Sequence, residues 1–189
     1  MIAHALLFAA ATAIRVQAIQ HRGWWELRYS DGTVAANELH IPAGKSTPVE
    51  ITTDAPRFTW TTSFRSSTTL QALHGAKLIV IADDDFEEWL ANQKRDASAA
   101  KGRDVFLTAR CTLCHTVRGI AVAEQPIGPD LTHFASRRSI GDGTIPNRIG
   151  YLGGWIVDSE TIKPGNGMPI NNVQSRDLQA LLAFVSSLR

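Results

Sequence analysis

Apolar and polar positions alternate over short stretches between residues 20 and 82, a pattern that is typical of half-buried β-strands. Aromatic and β-branched runs flank Asp31 and Gly32, a pair that is a strong hairpin signal. Residues 47–64 continue in Thr, Val, Ile, Phe and Trp, and residues 76–82, AKLIVIA, form an apolar run of strand length. The pattern therefore predicts a mostly β region.

The periodicity changes at Asp83, where acidic residues open a helical pattern. Phe86, Trp89 and Leu90 follow the i, i+3, i+4 spacing of one helix face, and Lys94 and Arg95 end the segment. Acidic residues at the start and basic residues at the end complement the helix dipole. This predicts a helix over 83–95 that closes the β region, which spans residues 21–95. The small and polar segment 96–101, DASAAK, is predicted to be a linker.

The remaining residues, 102–189, show a helical pattern at both ends and loops between them. A short helix carries Val105, Phe106 and Ala109, and the last helix is predicted to be capped by Ser175. Its apolar stripe consists of Leu178, Leu181, Leu182, Val185 and Leu188. The middle, from Gly119 to Pro169, is rich in Gly and Pro, and so long a loop region in a compact unit is usually functional. We expect a cofactor to organise it.

Composition and charge exclude some function classes. The chain has 19 basic and 18 acidic residues and a net charge of +1, which gives no indication of a nucleic-acid partner. The apolar stretch from Ile2 to Ile14 is shorter than the roughly 20 residues that span a membrane. Residues 1–20 are therefore expected to be a partial membrane anchor or an export segment, with a plain buried helix as a further possibility.

Both cysteines lie in the sequence CTLCHTV, residues 111–117. The order Cys111-x-x-Cys114-His115 is the attachment signature of c-type haem, in which two thiols add to the vinyl groups and the adjacent imidazole binds the iron. Two alternatives are a thioredoxin-like dithiol and one half of a zinc site. A dithiol would need a surrounding βαβ pattern and a zinc site a second pair of ligands, and the sequence has neither.

A c-type haem with a thioether as second axial ligand requires a methionine, and Met168 is the only one after Met1. Its neighbours Gly165, Gly167 and Pro169 indicate a loop, where a role as core filler is less expected. The runner-up for the distal position is His133, which is otherwise an ordinary loop histidine.

Several further residues are expected around the haem. Gly128 allows close backbone approach, and the ring of Pro129 can pack on the proximal imidazole. Trp155 and Tyr151 are amphipathic side chains that either cover the haem and reach a propionate or belong to an ordinary core. Arg137 and Arg138 either neutralise propionates or are solvated.

Residues 102–189 resemble class I cytochrome c domains, and in particular the domain fused to the end of subunit II in some bacterial terminal oxidases. The resemblance lies in the stretches GRDVFLTARCTLCHTVRG, GPDLTHFASRRSI, GGWIVDSETIKPGNGMP and LQALLAFVSSL. It implies an all-α domain in which the first and last helices cross, with Gly102 leaving room for Phe184. It also implies one covalent haem c with His115 and Met168 as the axial metal ligands.

The first region resembles the cupredoxin domain of the same subunit at both of its ends, in GWWELRYSDGTVAANELHIPAG and AKLIVIADDDFEEWL. The resemblance implies a copper centre bridged by two cysteine thiolates. No cysteine precedes Cys111, so the ligands of that centre are absent here. The sequence thus predicts an α+β chain of two domains, a truncated cupredoxin-like β region followed by the cytochrome c domain.

The resemblance implies electron transfer in a respiratory haem-copper terminal oxidase, as a subunit II-like component with no catalytic centre of its own. Expected partners are oxidase subunit I, the other oxidase subunits and a soluble cytochrome or quinol-fed donor, together with membrane association. Covalent haem attachment implies the periplasm or the periplasmic side of the bacterial cytoplasmic membrane. Two alternatives are a haem module that binds diatomic ligands and a free-standing periplasmic cytochrome c.

Overall fold

The computed structural model describes residues 13–53, 59–64, 73, 75–97 and 102–189. Most of the predicted anchor or export segment, residues 1–12, and most of the predicted linker, 98–101, lie outside the described residues. No helix in the described part of the chain is long and apolar enough to cross a membrane.

The N-terminal unit contains two sheets within the described residues. The larger has the order β3-β2-β1-β5-β6, with β1 and β5 parallel and the other neighbours antiparallel, and the smaller pairs β4 with β7 in parallel. The strands are β1 Val16–His21, β2 Trp24–Tyr29, β3 Val34–Ala36, β4 Glu38–Pro42, β5 Thr47–Thr53, β6 Thr59–Phe64 and β7 Lys77–Ile81.

The hairpin at Asp31 and Gly32 joins β2 to β3 and confirms the prediction. The sequence predicts that the β region begins at residue 21. In the structure it begins earlier, because β1 starts at Val16 and belongs to the larger sheet. Val16 and Ala18 alternate with more exposed positions and are 2% and 0% exposed, as expected of a strand with one face in a core.

The predicted closing helix is present as α1, Asp83–Gln93. It buries Phe86 and Leu90 against strand residues that include Trp25, Leu27 and Ile41. Burying this apolar face stabilises the helix more than its intrinsic propensity does. The β region and its helix therefore share one core.

The C-terminal unit has four α-helices within residues 102–189: α2 Arg103–Thr108, α3 Ile149–Val157, α4 Ser159–Ile162 and α5 Ser175–Val185. It is not purely α, because β8 Ser139–Ile140 pairs with β9 Ile145–Pro146. The turn between these strands takes Gly141, Asp142 and Gly143 through positive φ, a geometry that Gly and Asp adopt most easily.

The first and last helices of this unit cross, as predicted. A Cβ on Gly102 would overlap the carbonyl of Ala180 on α5 and lie 3.1 Å from the Cβ of Phe184. Beside this contact, the rings of Phe106 and Phe184 lie 5.3 Å apart between centroids. The predicted stripe of α5 faces the core, with Leu181, Leu182, Val185 and Leu188 buried and Leu178 partly buried. Ser175 is not the cap, since Gln174 precedes the helix and makes no side-chain capping bond.

Two features of this unit differ from the sequence interpretation. Helix α3 lies in the stretch predicted to be loop, because buried Leu152 and Ile156 outweigh the low helix propensity of its three glycines. Ala97, assigned to the linker, is 8% exposed and packs in the core of the C-terminal unit. Its amide donates to the carbonyl of Arg118 at 3.0 Å, so the linker is anchored at this point.

Polar contacts join the two units. Glu38 of β4 is 1% exposed, and its Oε1 accepts from the backbone amides of Arg138 at 2.7 Å and Ser139 at 3.0 Å. His133 is buried and its Nε2 lies 3.0 Å from the carbonyl of Arg95, two residues after the end of α1. The units are therefore docked through buried groups.

Candidate functional site

A cavity of about 480 Å³ lies inside the C-terminal unit and is closed on one side by the N-terminal unit. Its volume falls within the usual range of roughly 300–1,000 Å³ for ligand sites. Its walls are mainly apolar and include Phe106, Leu131, Phe134, Ile140, Leu152 and Leu181. The four predicted haem-binding side chains, Cys111, Cys114, His115 and Met168, all line this one cavity.

The two cysteines are held by a short 3₁₀ helix, Cys111–Leu113. The amides of Cys114 and His115 both donate to the carbonyl of Cys111, at 3.2 and 3.0 Å, which winds the motif into one turn. Both thiols are free and partly buried. Burial raises the pKa of Cys111 to about 11, whereas a redox-active dithiol depends on a lowered thiol pKa. This argues against the thioredoxin-like interpretation.

The zinc interpretation gains no support either. No group of three or more His, Cys, Asp or Glu side chains that could hold a metal ion occurs among the described residues. A structural zinc site uses four protein ligands, most often Cys and His.

His115 is held in one tautomer. Its Nδ1 lies 2.8 Å from the carbonyl of Pro129, and because a carbonyl only accepts, Nδ1 carries the proton and Nε2 keeps its lone pair. Burial lowers the pKa of His115 and so favours the neutral ring. A Cβ on Gly128 would lie 2.6 Å from Cε1 of the ring, so only glycine fits behind the imidazole. The imidazole is therefore oriented as a metal ligand requires.

Met168 lies in the loop between α4 and α5, where side chains hold the backbone. Its amide donates to Oδ1 of Asn166 at 2.9 Å, and Ser159 Oγ donates to that same oxygen at 3.0 Å. The side-chain Nδ2 of Asn171 donates to the carbonyls of Ile156 and Pro169, at 3.0 Å each. Sequence reasoning found the methionine but missed both asparagines. Asn166 lies between two glycines and Asn171 lies two residues after Pro169, and these positions are their only signal.

The other predicted residues separate into two groups. Pro129, Trp155 and Arg137 line the cavity, and a Cβ on Gly141 would lie 2.5 Å from the ring of Trp155. Tyr151, by contrast, is 50% exposed and does not line the cavity. Arg138 and His133 are also absent from the lining, so of the two distal candidates predicted from the sequence only Met168 lines the same cavity as His115.

Sequence reasoning missed the wall that the N-terminal unit contributes. The turn between β1 and β2 brings His21, Arg22, Gly23 and Trp24 to the cavity. The indole Nε1 of Trp24 donates to the carbonyl of Ile127 at 3.0 Å, and the His21 ring stacks on the indole with centroids 4.3 Å apart. Alternation within β-strands carries no information about a contact with a distant loop.

The donor set fits a covalently attached haem. Two thiols lie on one turn, a neutral imidazole with a free Nε2 follows them, and a thioether borders the same apolar cavity. Arg137 adds a guanidinium to the wall, 5.8 Å from the Phe134 ring centroid, and a guanidinium is a group that pairs with carboxylates.

Comparison with known proteins agrees with this chemistry. Residues 99–189 match the family model described as Cytochrome c. The chain is 25% identical to cytochrome c oxidase subunit 2 of Alkalihalophilus pseudofirmus, over 93% of this chain and 61% of that protein. It is 22% identical to cytochrome c oxidase subunit 2 of Bacillus sp. strain PS3, over 93% of this chain and 62% of that protein. The chain thus spans about three fifths of the length of the curated relatives it matches.

A solved structure is also similar over part of the chain. It is described as the mixed disulfide intermediate between a thioredoxin-like protein and subunit II of cytochrome c oxidase. It matches with a TM-score of 0.35 and 16% identity, over 47% of this chain and 96% of that one. The structure has an N-terminal β region, and the match of residues 99–189 to the Cytochrome c model supports covalent haem c in that part of the chain.

Proposed function

We propose that this chain carries single electrons through one covalent haem c with His115 and Met168 as axial ligands, as a subunit II-like component of a respiratory haem-copper terminal oxidase. The observation that carries the proposal is that both thiols, the imidazole and the thioether line one apolar cavity. The names of the two sequence relatives support the oxidase context.

The residues of the cavity have distinct roles in this proposal. Cys111 and Cys114 form the two thioether bonds, and the Pro129 carbonyl keeps the Nε2 lone pair of His115 available. When bound, the haem supplies the one-electron couple between iron(III) and iron(II). A thioether ligand raises the potential of that couple, and apolar walls keep water away from it. The chain itself makes and breaks no bond during transfer.

The N-terminal unit has a different role from the copper domain that its resemblance implies. With both cysteines of the chain in the haem motif, no thiolate remains to bridge two copper ions. We propose that this unit docks the cytochrome c domain and retains a cupredoxin-like fold in truncated form. Its buried contact through Glu38 supports a docking role.

The proposed partners are oxidase subunit I, the other oxidase subunits and a soluble cytochrome or quinol-fed donor, with membrane association. Because c-type haem is attached outside the cytoplasm, the proposed location is the periplasm or the periplasmic side of the cytoplasmic membrane.

The test is co-expression with cytochrome c maturation factors, followed by the pyridine spectrum of the reduced and denatured protein. We expect a c-type haem that acid-acetone does not extract, and its loss in the matched Cys111→Ser, Cys114→Ser double variant. We expect Met168→Leu to keep the covalent haem but to lose the absorption band of sulfur bound to iron(III).

The same sample separates the alternatives. Wild-type protein without covalent haem would refute the proposal. Rapid carbon monoxide binding by the reduced wild-type protein at neutral pH would point to a module for diatomic ligands. Co-purification of oxidase subunits from native membranes supports the oxidase assignment, and purification without them would favour a free-standing cytochrome c.

A further inference from the structure

The turn between β1 and β2, residues Arg22 and Gly23, presses on the loop that carries Met168. Gly23 has φ +81°, and a Cβ there would lie 2.8 Å from the Cα and 2.9 Å from the carbonyl oxygen of Asn166. Such distances lie below any ordinary contact of a real side chain, so the two backbones meet with no room for a methyl group. The tight approach makes this a backbone-to-backbone contact between the units.

Two hydrogen bonds reinforce that contact. Arg22 Nε donates to the carbonyl of Gly165 at 3.2 Å, and Lys163 Nζ donates to the carbonyl of Gly23 at 3.1 Å. The turn is therefore bonded to two loop residues that precede the point of contact at Asn166.

Asn166 links this contact to Met168. Its backbone meets Gly23, while its side chain accepts from the Met168 amide at 2.9 Å and donates to the Lys163 carbonyl at 2.8 Å. A displacement of Asn166 would therefore move the backbone of Met168 directly. Helix α4 also holds this irregular loop, since Ser159 Oγ donates to Asn166 Oδ1 at 3.0 Å and Glu160 Oε1 accepts from the Gly165 amide at 2.6 Å. The turn of the N-terminal unit is therefore a second anchor, on the side of the loop that faces that unit.

We propose that the turn Arg22–Gly23 of the N-terminal unit clamps the loop 163–168 and thereby holds the Met168 thioether in its ligating position. This inference rests on the proposed function. Its consequence is that docking of the N-terminal unit sets how readily the thioether leaves the iron. Arg22, Gly23 and Asn166 are positioning residues, since they act through the backbone of Met168.

Gly23→Ala tests the clamp in the full-length ferric holoprotein, with imidazole as a competing ligand. The apparent affinity for a competing ligand scales with the fraction of molecules in which Met168 has left the iron. The added methyl group must push Asn166 away, so we expect the imidazole affinity to rise about tenfold or more. The absorption band of sulfur bound to iron(III) should weaken in parallel, while the covalent haem content stays unchanged.

The matched control is Gly32→Ala, in the turn between β2 and β3. Gly32 has φ +90°, and nothing lies within 4 Å of a Cβ built there. The Gly32→Ala substitution imposes similar backbone strain on the same sheet without touching the loop 163–168. The imidazole affinity of this variant should therefore equal that of the wild type. An equal rise in both variants would overturn the clamp, because general strain would then explain the effect.

A second pair of variants avoids backbone strain altogether. Arg22→Gln removes one exposed hydrogen bond to the loop, and we expect the imidazole affinity to rise roughly twofold to tenfold. Its control is Arg28→Gln, since the Arg28 guanidinium bonds to Glu26 within its own strand. If Gly23→Ala yields no folded holoprotein, the comparison of Arg22→Gln with Arg28→Gln tests the clamp in its place.

Wild-type affinity in both Gly23→Ala and Arg22→Gln would refute the clamp and leave the proposed function intact. Wild-type protein without the sulfur band would refute the Met168 ligation itself, and the clamp with it.

Discussion

Replacing Glu38 by alanine should loosen the contact between the two units. Glu38 is 1% exposed, and its Oε1 accepts from the amides of Arg138 and Ser139 and from Ser139 Oγ at 3.2 Å. Alanine removes the acceptor and leaves these donors inside the interface. The effect therefore reports on how firmly the N-terminal unit is docked.

The magnitude follows from the donors left without a partner. Each buried donor that loses its acceptor costs about 1–3 kcal/mol. Burying a carboxylate costs free energy because the charge is desolvated. Alanine removes this cost, which offsets part of the loss. We therefore expect the free energy of unfolding to fall by about 3 kcal/mol. Glu38→Gln keeps an acceptor oxygen in place and should cost only about 1 kcal/mol.

The assay is urea unfolding of the holoprotein, followed by far-ultraviolet circular dichroism and by haem absorbance. Because the donors belong to the C-terminal unit and Glu38 to the N-terminal one, Glu38→Ala should also separate the two transitions. Glu50→Ala, an exposed position on β5 of the same unit, is the matched control and should change stability by less than about 0.5 kcal/mol. A loss for Glu38→Ala no larger than that of Glu50→Ala would show that the buried contact does not hold the units together.

Three further predictions test the core and the site. Gly128→Ala should destabilise the protein by about 1–3 kcal/mol because its methyl group meets the His115 ring. The matched Gly150→Ala, with nothing within 4 Å, should stabilise it by roughly 0.4–1 kcal/mol, and equal urea midpoints would contradict the tight contact. Phe184→Ala should cost about 3–5 kcal/mol, since this side chain is 0% exposed at the helix crossing, and a loss below 1 kcal/mol by the same measurement would argue against that crossing. Burial lowers the pKa of His40 from 6.5 to about 4, so the unfolded state takes up the proton first and stability should fall, by up to about 3 kcal/mol, as the pH drops from 6.5 towards 4. His40→Gln should flatten urea midpoints across that range, and an unchanged slope would assign the pH dependence to other groups.

Local patterns were sufficient for the elements that depend on near neighbours, and for the candidate ligands that line the cavity. The hairpin at Asp31 and Gly32 depends on two adjacent residues, and the haem motif on five, so both could be predicted. Met168 could be chosen as the candidate thioether because the composition leaves no other methionine outside the first residue.

Contacts between distant segments could not be predicted in this way. Helix α3 contains three glycines and forms because Leu152 and Ile156 find a core, which propensity does not register. Glu38 docks the two units, and Arg22 contacts the loop at the cavity, through residues that are a hundred or more positions away. Each looks like an ordinary strand or turn residue in the sequence.

The central position of β1 in its sheet has a kinetic consequence. This strand pairs in parallel with β5, bringing Val16 beside Val49, and β4 pairs with β7, bringing Glu38 beside Lys77. Each pairing closes a long stretch of chain before any interstrand bond forms, which raises the contact order and slows folding. The N-terminal unit should therefore acquire its native topology more slowly than the α2–α5 helix pair. Until it does, the edges of β1 and β5 remain open to pairing with other chains.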